Sequence, residues 1–146
     1  MREPILQIVA FEALQGWAKT YVKNLQAGAC VCLTGPLGAG KTAFTRSIVT
    51  ELGMDSEASF GSTTFSVMNI YDAGALRLRH FDLYRLETFA GFEDLDLMGE
   101  LKCPDGISFV EWGDKFSELK KQFTHFIKLD FIPESEVERF VYTWLA

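Results

Sequence analysis

Eight consecutive residues, Gly35-Pro36-Leu37-Gly38-Ala39-Gly40-Lys41-Thr42, have the types and spacing needed to grip a polyphosphate. They match the pattern G-x-x-x-x-G-K-[ST]. Glycines let a backbone turn tightly and aim successive N–H groups inward at anionic oxygens. A helix starting near Lys41 would point its positive end at the same place. Lys41 would add a point charge for the β- and γ-phosphates, and the Thr42 hydroxyl is placed to ligate magnesium. The segment from Gly35 to Ala43 is therefore the expected nucleotide-binding element. Four fixed positions recur by chance in roughly one chain in two hundred of this length. The required context, an apolar strand before and a helix after, makes coincidence rarer still. The match speaks for phosphate binding and leaves the reaction open.

Such a loop needs an acid at the end of a neighbouring strand to complete a magnesium shell. Glu111 closes the apolar run GISFV and precedes Trp112 and Gly113. An unpaired acid facing a core there would be costly. Asp82, in HFDLYR, is the second candidate. On a strand, His80, Asp82 and Tyr84 share a face with Leu78, so His80 and Asp82 can enter one site together. Asp82 then orients an attacking water or a magnesium-bound one; the alternative is a structural Asp–His or Asp–Arg pair. Ser62-Thr63-Thr64 form a hydroxyl-rich loop that could sense a γ-phosphate, or an ordinary turn. His125 has no partner in the sequence and reads as structural. The Asn-Lys-x-Asp element of guanine recognition does not occur.

The elements around these residues follow from periodicity. Phe11, Leu14, Ala18, Tyr21, Val22 and Leu25 repeat at helical spacing over residues 10 to 25, with Gly28 beyond the end. ACVCLTG reads as a strand buried on both faces. Phe44, Ile48 and Leu52 mark a second helix stopped by Gly53. Residues 54 to 63 read as a loop. TFSVMNIYD and ALRLRHFDLYRL read as strands joined by a turn at residues 72 to 74. A helical or loop stretch runs to about residue 104, followed by the strand GISFVEW. HFIKLDFI and VERFVYTWL form a last pair about Pro133-Glu134-Ser135. The expected fold is α/β: a single domain over 1–146 with a mixed central sheet flanked by helices.

Composition narrows the class. The 146 residues include thirteen Phe and three Trp, enough for one cored domain without staples. No apolar run is long enough to span a membrane and no signal peptide is expected. Three cysteines, with Cys30 and Cys32 on one face of a strand, argue against a disulfide framework and for buried thiols in a reducing cytoplasm. A net charge of −6 disfavours a free-standing nucleic-acid binder, with a local basic patch left open. ETFAGFEDLDLMGE, residues 87 to 100, carries acids without a base; it reads as a solvated helix face or a dock for a basic partner.

GPLGAGKTAFTR, STTFSVMNIY, HFDLYRL and FVEWGDK, in that order across nearly the whole chain, resemble the TsaE (YjeE) family of bacterial P-loop ATPases. The resemblance implies ATP or ADP bound with Mg2+, slow hydrolysis, and partnership with TsaD and TsaB. The product is the threonylcarbamoyl group on adenosine 37 of tRNAs reading codons that begin with adenine. By this similarity Lys41 and the loop amides hold phosphates, Thr42 and Glu111 bind magnesium, and Asp82 is needed for hydrolysis. Ser62 to Thr64 are then the switch segment, with Thr64 at the nucleotide. Trp112 lies beside the nucleotide, and Phe11 borders the adenine. Two positions depart from the family: Thr63 replaces its usual Pro, loosening the loop, and Pro36 stands where an acid is common, removing one N–H at the loop entrance.

Three functions fit. The first is an ATPase acting as a switch, in which MgATP orders residues 58 to 65. It would be slow, since Arg46, Arg77, Arg79 and Arg85 lack the motif support of an arginine finger. The second is a small-molecule kinase with Asp82 as base, though no lid insertion is evident. The third is a non-catalytic nucleotide-dependent adaptor that docks through residues 87 to 100.

Overall fold

The computed structural model describes residues 3–53, 67–73, 76–102 and 104–146. Its core is one seven-stranded sheet, ordered β1-β7-β6-β2-β5-β4-β3. The strands are β1 (Ile5–Ala10), β2 (Cys30–Thr34), β3 (Met68–Ala73), β4 (Leu76–Asp82), β5 (Gly106–Glu111), β6 (His125–Ile132) and β7 (Ser135–Leu145). The four central strands, β6, β2, β5 and β4, run parallel. β1, β7 and β3 pair antiparallel to them or to each other at the two ends. The expected mixed α/β architecture is what forms.

α1 (Leu14–Val22) and α2 (Lys41–Glu51) cover one face of the sheet. Leu14, Ala18, Phe44 and Ile48 pack there on Val31, Leu33, Leu78, Phe109 and Ile127. The short helices α3 (Phe89–Asp94) and α4 (Met98–Leu101), with the 3-10 turns after β5, cover the other. Cys30 and Cys32 are buried free thiols on that second face, and burial alone drives the Cys30 thiol up to about 12. They behave as the small apolar residues that the sequence suggests.

The structure departs from the expected elements in three places. β1 falls where the sequence reading has no strand; it exists because β7 offers it six antiparallel positions, Ile5↔Thr143 to Ala10↔Glu138. α1 begins at Leu14, after a 3-10 turn over Phe11–Ala13, rather than at residue 10. β4 ends at Asp82, not at residue 86. There the Asp82 carboxylate accepts the Tyr84 N–H at 3.1 Å, a side-chain turn that competes with strand continuation. The acidic stretch is also not uniformly solvated. Glu93, Asp94 and Asp96 are exposed, but Glu100 bonds inward to Arg79 at 2.6 Å.

Candidate functional site

Strand register brings the site together at the carboxyl ends of the parallel strands, where ligands of open α/β sheets bind. Leu33 on β2 and Asp82 on β4 both lie level with Glu111 on the intervening β5. β2 runs directly into the phosphate loop and α2 leaves it.

The loop has the backbone its glycines permit. Gly35, Gly38 and Gly40 take φ of 135°, 78° and 113°, values that side chains resist. Gly35 also presses on the Leu129 carbonyl, where a Cβ would collide. Lys41 is buried and curls back over the loop. Its ammonium donates to the carbonyls of Gly35 at 2.5 Å and Pro36 at 2.8 Å, and stands 4.4 Å from the centre of the Trp112 ring. Burial lowers its pKa, while Glu111, Asp82 and Asp114 pull it back up.

Trp112 has φ 61°, ψ 27°, the left-handed region that a bulky residue rarely occupies. That turn swings its ring against Tyr84, centroids 5.1 Å apart. Lys115 braces the arrangement by donating to the Tyr84 carbonyl at 2.7 Å. Gly113 is required next: a Cβ would stand 2.6 Å from Phe123 and 2.9 Å from the Cys32 sulfur.

Glu111, 2 % exposed, is held by three bonds. Thr42 Oγ1 donates to its two oxygens at 3.1 and 3.3 Å, and His80 Nε2 lies 2.5 Å from Oε2. Asp82 is half-buried nearby, and burial raises its carboxyl above its usual value; the Tyr84 N–H opposes that shift and the repulsion of Glu111 adds to it. Leu37, Gly38, Gly40, Lys41, Thr42, Ala43, Asp82, Tyr84, Glu111 and Trp112 line one open cavity of ≈ 210 Å³. Among the described residues no three His, Cys, Asp or Glu side chains form a self-sufficient metal site. One hydroxyl, one carboxylate bonded to it and a second acid across the cavity are hard oxygen donors. They fit magnesium, which is held by few protein ligands and completes its shell with water and phosphates.

Most sequence-derived site residues thus meet in one place. His80 joins through Glu111 rather than beside Asp82. Phe11 lies behind the loop, against Gly40 and Arg139. His125 is remote, bonded through Nδ1 to Thr124 Oγ1 at 2.7 Å. Ser62, Thr63, Thr64 and the rest of the expected switch segment up to residue 65 lie outside the described residues. Tyr84, Lys115 and Arg139 were not singled out for the site by sequence reasoning. Lys115 is the last residue of the motif FVEWGDK, whereas Arg139 carries no local signal at all.

A mixed sheet with parallel central strands, a glycine loop between β2 and α2, and an acid at the tip of β5 define a protein of P-loop NTPase-like fold. The crystal structure of YdiB from Bacillus subtilis superposes with a TM-score of 0.71 and 25 % identity, covering 100 % of this chain and 88 % of that one. The profile described as "Threonylcarbamoyl adenosine biosynthesis protein TsaE" matches residues 9–141. The chain therefore belongs to the TsaE family. Similar proteins named "tRNA threonylcarbamoyladenosine biosynthesis protein TsaE" include one from Treponema pallidum, 32 % identical over 84 % of this chain and 87 % of that one. Another, from Bacillus subtilis, is 36 % identical over 76 % of this chain and 67 % of its own length.

Proposed function

We propose that this chain binds ATP with magnesium at the Gly35–Thr42 loop, hydrolyses it slowly, and serves tRNA threonylcarbamoyladenosine biosynthesis in the cytoplasm together with TsaD and TsaB. The observation that carries the chemistry is the convergence of Lys41, Thr42, Glu111 and Asp82 on one cavity. The pathway rests on family membership, and the two partners on the resemblance of the motifs.

Each residue has a task in this reading. Lys41 leaves its loop carbonyls for the phosphate oxygens, which replace two neutral acceptors with charged ones. Thr42 and Glu111 would hold magnesium, which when bound neutralises charge developing on the phosphates. His80 holds the Glu111 carboxylate in orientation from behind, as outer partners of metal ligands do. Asp82, less buried than Glu111, positions the attacking water. Its raised pKa suits a group that takes a proton as the bond to water forms. Trp112 and Tyr84 wall one side of the cavity and limit water entry.

Single-turnover ATP hydrolysis by wild type, Lys41→Ala and Asp82→Ala, with and without TsaD and TsaB, tests the reading. The expected outcome is rate loss in both variants and stimulation of wild type by the partners. Equal rates in all three proteins would overturn it.

A further inference from the structure

The outer side of the phosphate loop is gripped by three side chains that the proposed chemistry does not use. Arg139, on β7, is 7 % exposed. A guanidinium keeps its charge at any ordinary pH, and buried charges call for partners. Among the described residues its hydrogen bonds end on backbone carbonyls. Nε donates to Ala39 at 3.2 Å, and Nη1 to Glu136 and Glu138 at 3.2 and 2.9 Å. Two rings lie against it: Phe11, with its centroid at 5.0 Å, and Phe131 at 4.7 Å. The same rings reach the loop. A Cβ built on Gly40 would stand 3.0 Å from Phe11, and one on Gly38 3.8 Å from Phe131. Three successive loop residues, Gly38, Ala39 and Gly40, are therefore touched by one Phe–Arg–Phe cluster, drawn from the 3-10 turn before α1 and from paired positions of the β6–β7 hairpin.

The geometry has a consequence for phosphate binding. In a planar trans peptide the C=O and the following N–H point opposite ways. A guanidinium that holds the Ala39 carbonyl outward therefore turns the Gly40 N–H inward, toward the cavity. The bond spans 100 positions of sequence, so nothing local to the loop supplies this restraint. The guanidinium also places a permanent positive charge behind the amides that face an anion.

We propose that Arg139, seated between Phe11 and Phe131, is a positioning residue for phosphate binding: it fixes the Ala39–Gly40 peptide with its N–H toward the phosphates. The proposal rests on the reading of the loop as a nucleotide site. It assigns Phe11 to the loop's support rather than to the base.

Calorimetric titration of the full chain with MgADP and with magnesium pyrophosphate tests it, using wild type, Arg139→Met and Arg139→Lys. Thermal midpoints without ligand check the fold. Arg139→Met is expected to weaken both ligands by the same factor, about tenfold for one lost charged hydrogen bond. Arg139→Lys should recover part of that loss for both. A loss for MgADP without one for pyrophosphate would place Arg139 at the base and overturn the proposal, as would unchanged affinity for both ligands. If Arg139→Met fails to fold, Arg139→Lys and Phe131→Leu carry the test, with smaller losses that must again be equal for the two ligands. Wild type binding neither ligand would remove the nucleotide reading itself; wild type binding both, with the variants unaffected, would remove only the role of Arg139.

Discussion

Two charged clusters grow from adjacent buried residues of β4 and end differently. Arg79 points to the α3–α4 face, 1 % exposed, and is held by Glu100 at 2.6 Å and Asp105 at 2.8 Å. His80 points to the α2 face and meets Glu111, which in turn accepts from Thr42. In the first cluster a fixed cation is met by two carboxylates, and the arrangement joins α4 and the start of β5 to the sheet. In the second, a carboxylate, a hydroxyl and a second acid surround an open cavity with Lys41 across it. Satisfied charges inside a protein hold structure; charges arranged to meet at a water-filled opening can still exchange partners. Reading one motif along β4 could not tell these apart, because both contain a base and acids.

The largest effect should come from emptying the Arg79 cluster. Glu100→Ala with Asp105→Ala leaves the buried Arg79 guanidinium without the two partly exposed carboxylates that meet it, at a cost of about 3 kcal/mol. A fall in thermal midpoint on the order of 10 °C is expected by calorimetry, with affinity for MgADP unchanged in the protein that remains folded at low temperature. A large affinity loss would mean that the two clusters are coupled rather than independent.

Next comes Asp82→Ala, which should slow single-turnover hydrolysis by at least about 100-fold and leave MgADP binding nearly intact. A Glu111→Gln variant keeps the shape but removes the charge facing Thr42. The factor by which magnesium strengthens ADP binding should shrink by about tenfold, read by titration with and without the ion. Full magnesium dependence in that variant would exclude Glu111 from the metal's shell.

The smallest effect is on stability with pH. Burial raises the Asp82 carboxyl, so the folded state binds its proton more tightly than the unfolded state. Stability then declines as pH rises from the ordinary value of 3.8 through the raised one. Asp82→Asn removes that cost. Its thermal midpoint should exceed that of wild type at neutral pH by a small margin, on the order of 2 °C. The gap should close below pH 3.8. A margin that is constant with pH would point to packing rather than charge.

Legibility in the sequence varied with distance. The phosphate loop, β2, α2 and β5 could be read directly, because each is a contiguous pattern whose residues restrict their own backbone. The strand face shared by Leu78, His80 and Asp82 was legible for the same reason. β1 was not: Ile5, Leu6 and Ile8 stay exposed, so no inward-outward alternation marks the strand, and only pairing with β7 makes it one. The early end of β4 was also hidden, since the competing bond from Tyr84 to the Asp82 carboxylate looks in sequence like one more strand position.

By itself the sequence determined that an anion-binding loop would stand between a strand and a helix, since glycine torsions and a following helical repeat are local properties. It also narrowed the metal-ligating acids to two. Tertiary structure alone decided that Glu111 meets Thr42 while Asp82 stands off at the cavity edge, because strand register is set by packing across the sheet. It also decided that an arginine near the far end of the chain would hold the loop from behind. Contacts of that kind arise from the summed burial of a whole core, and no short window of residues contains the information that specifies them.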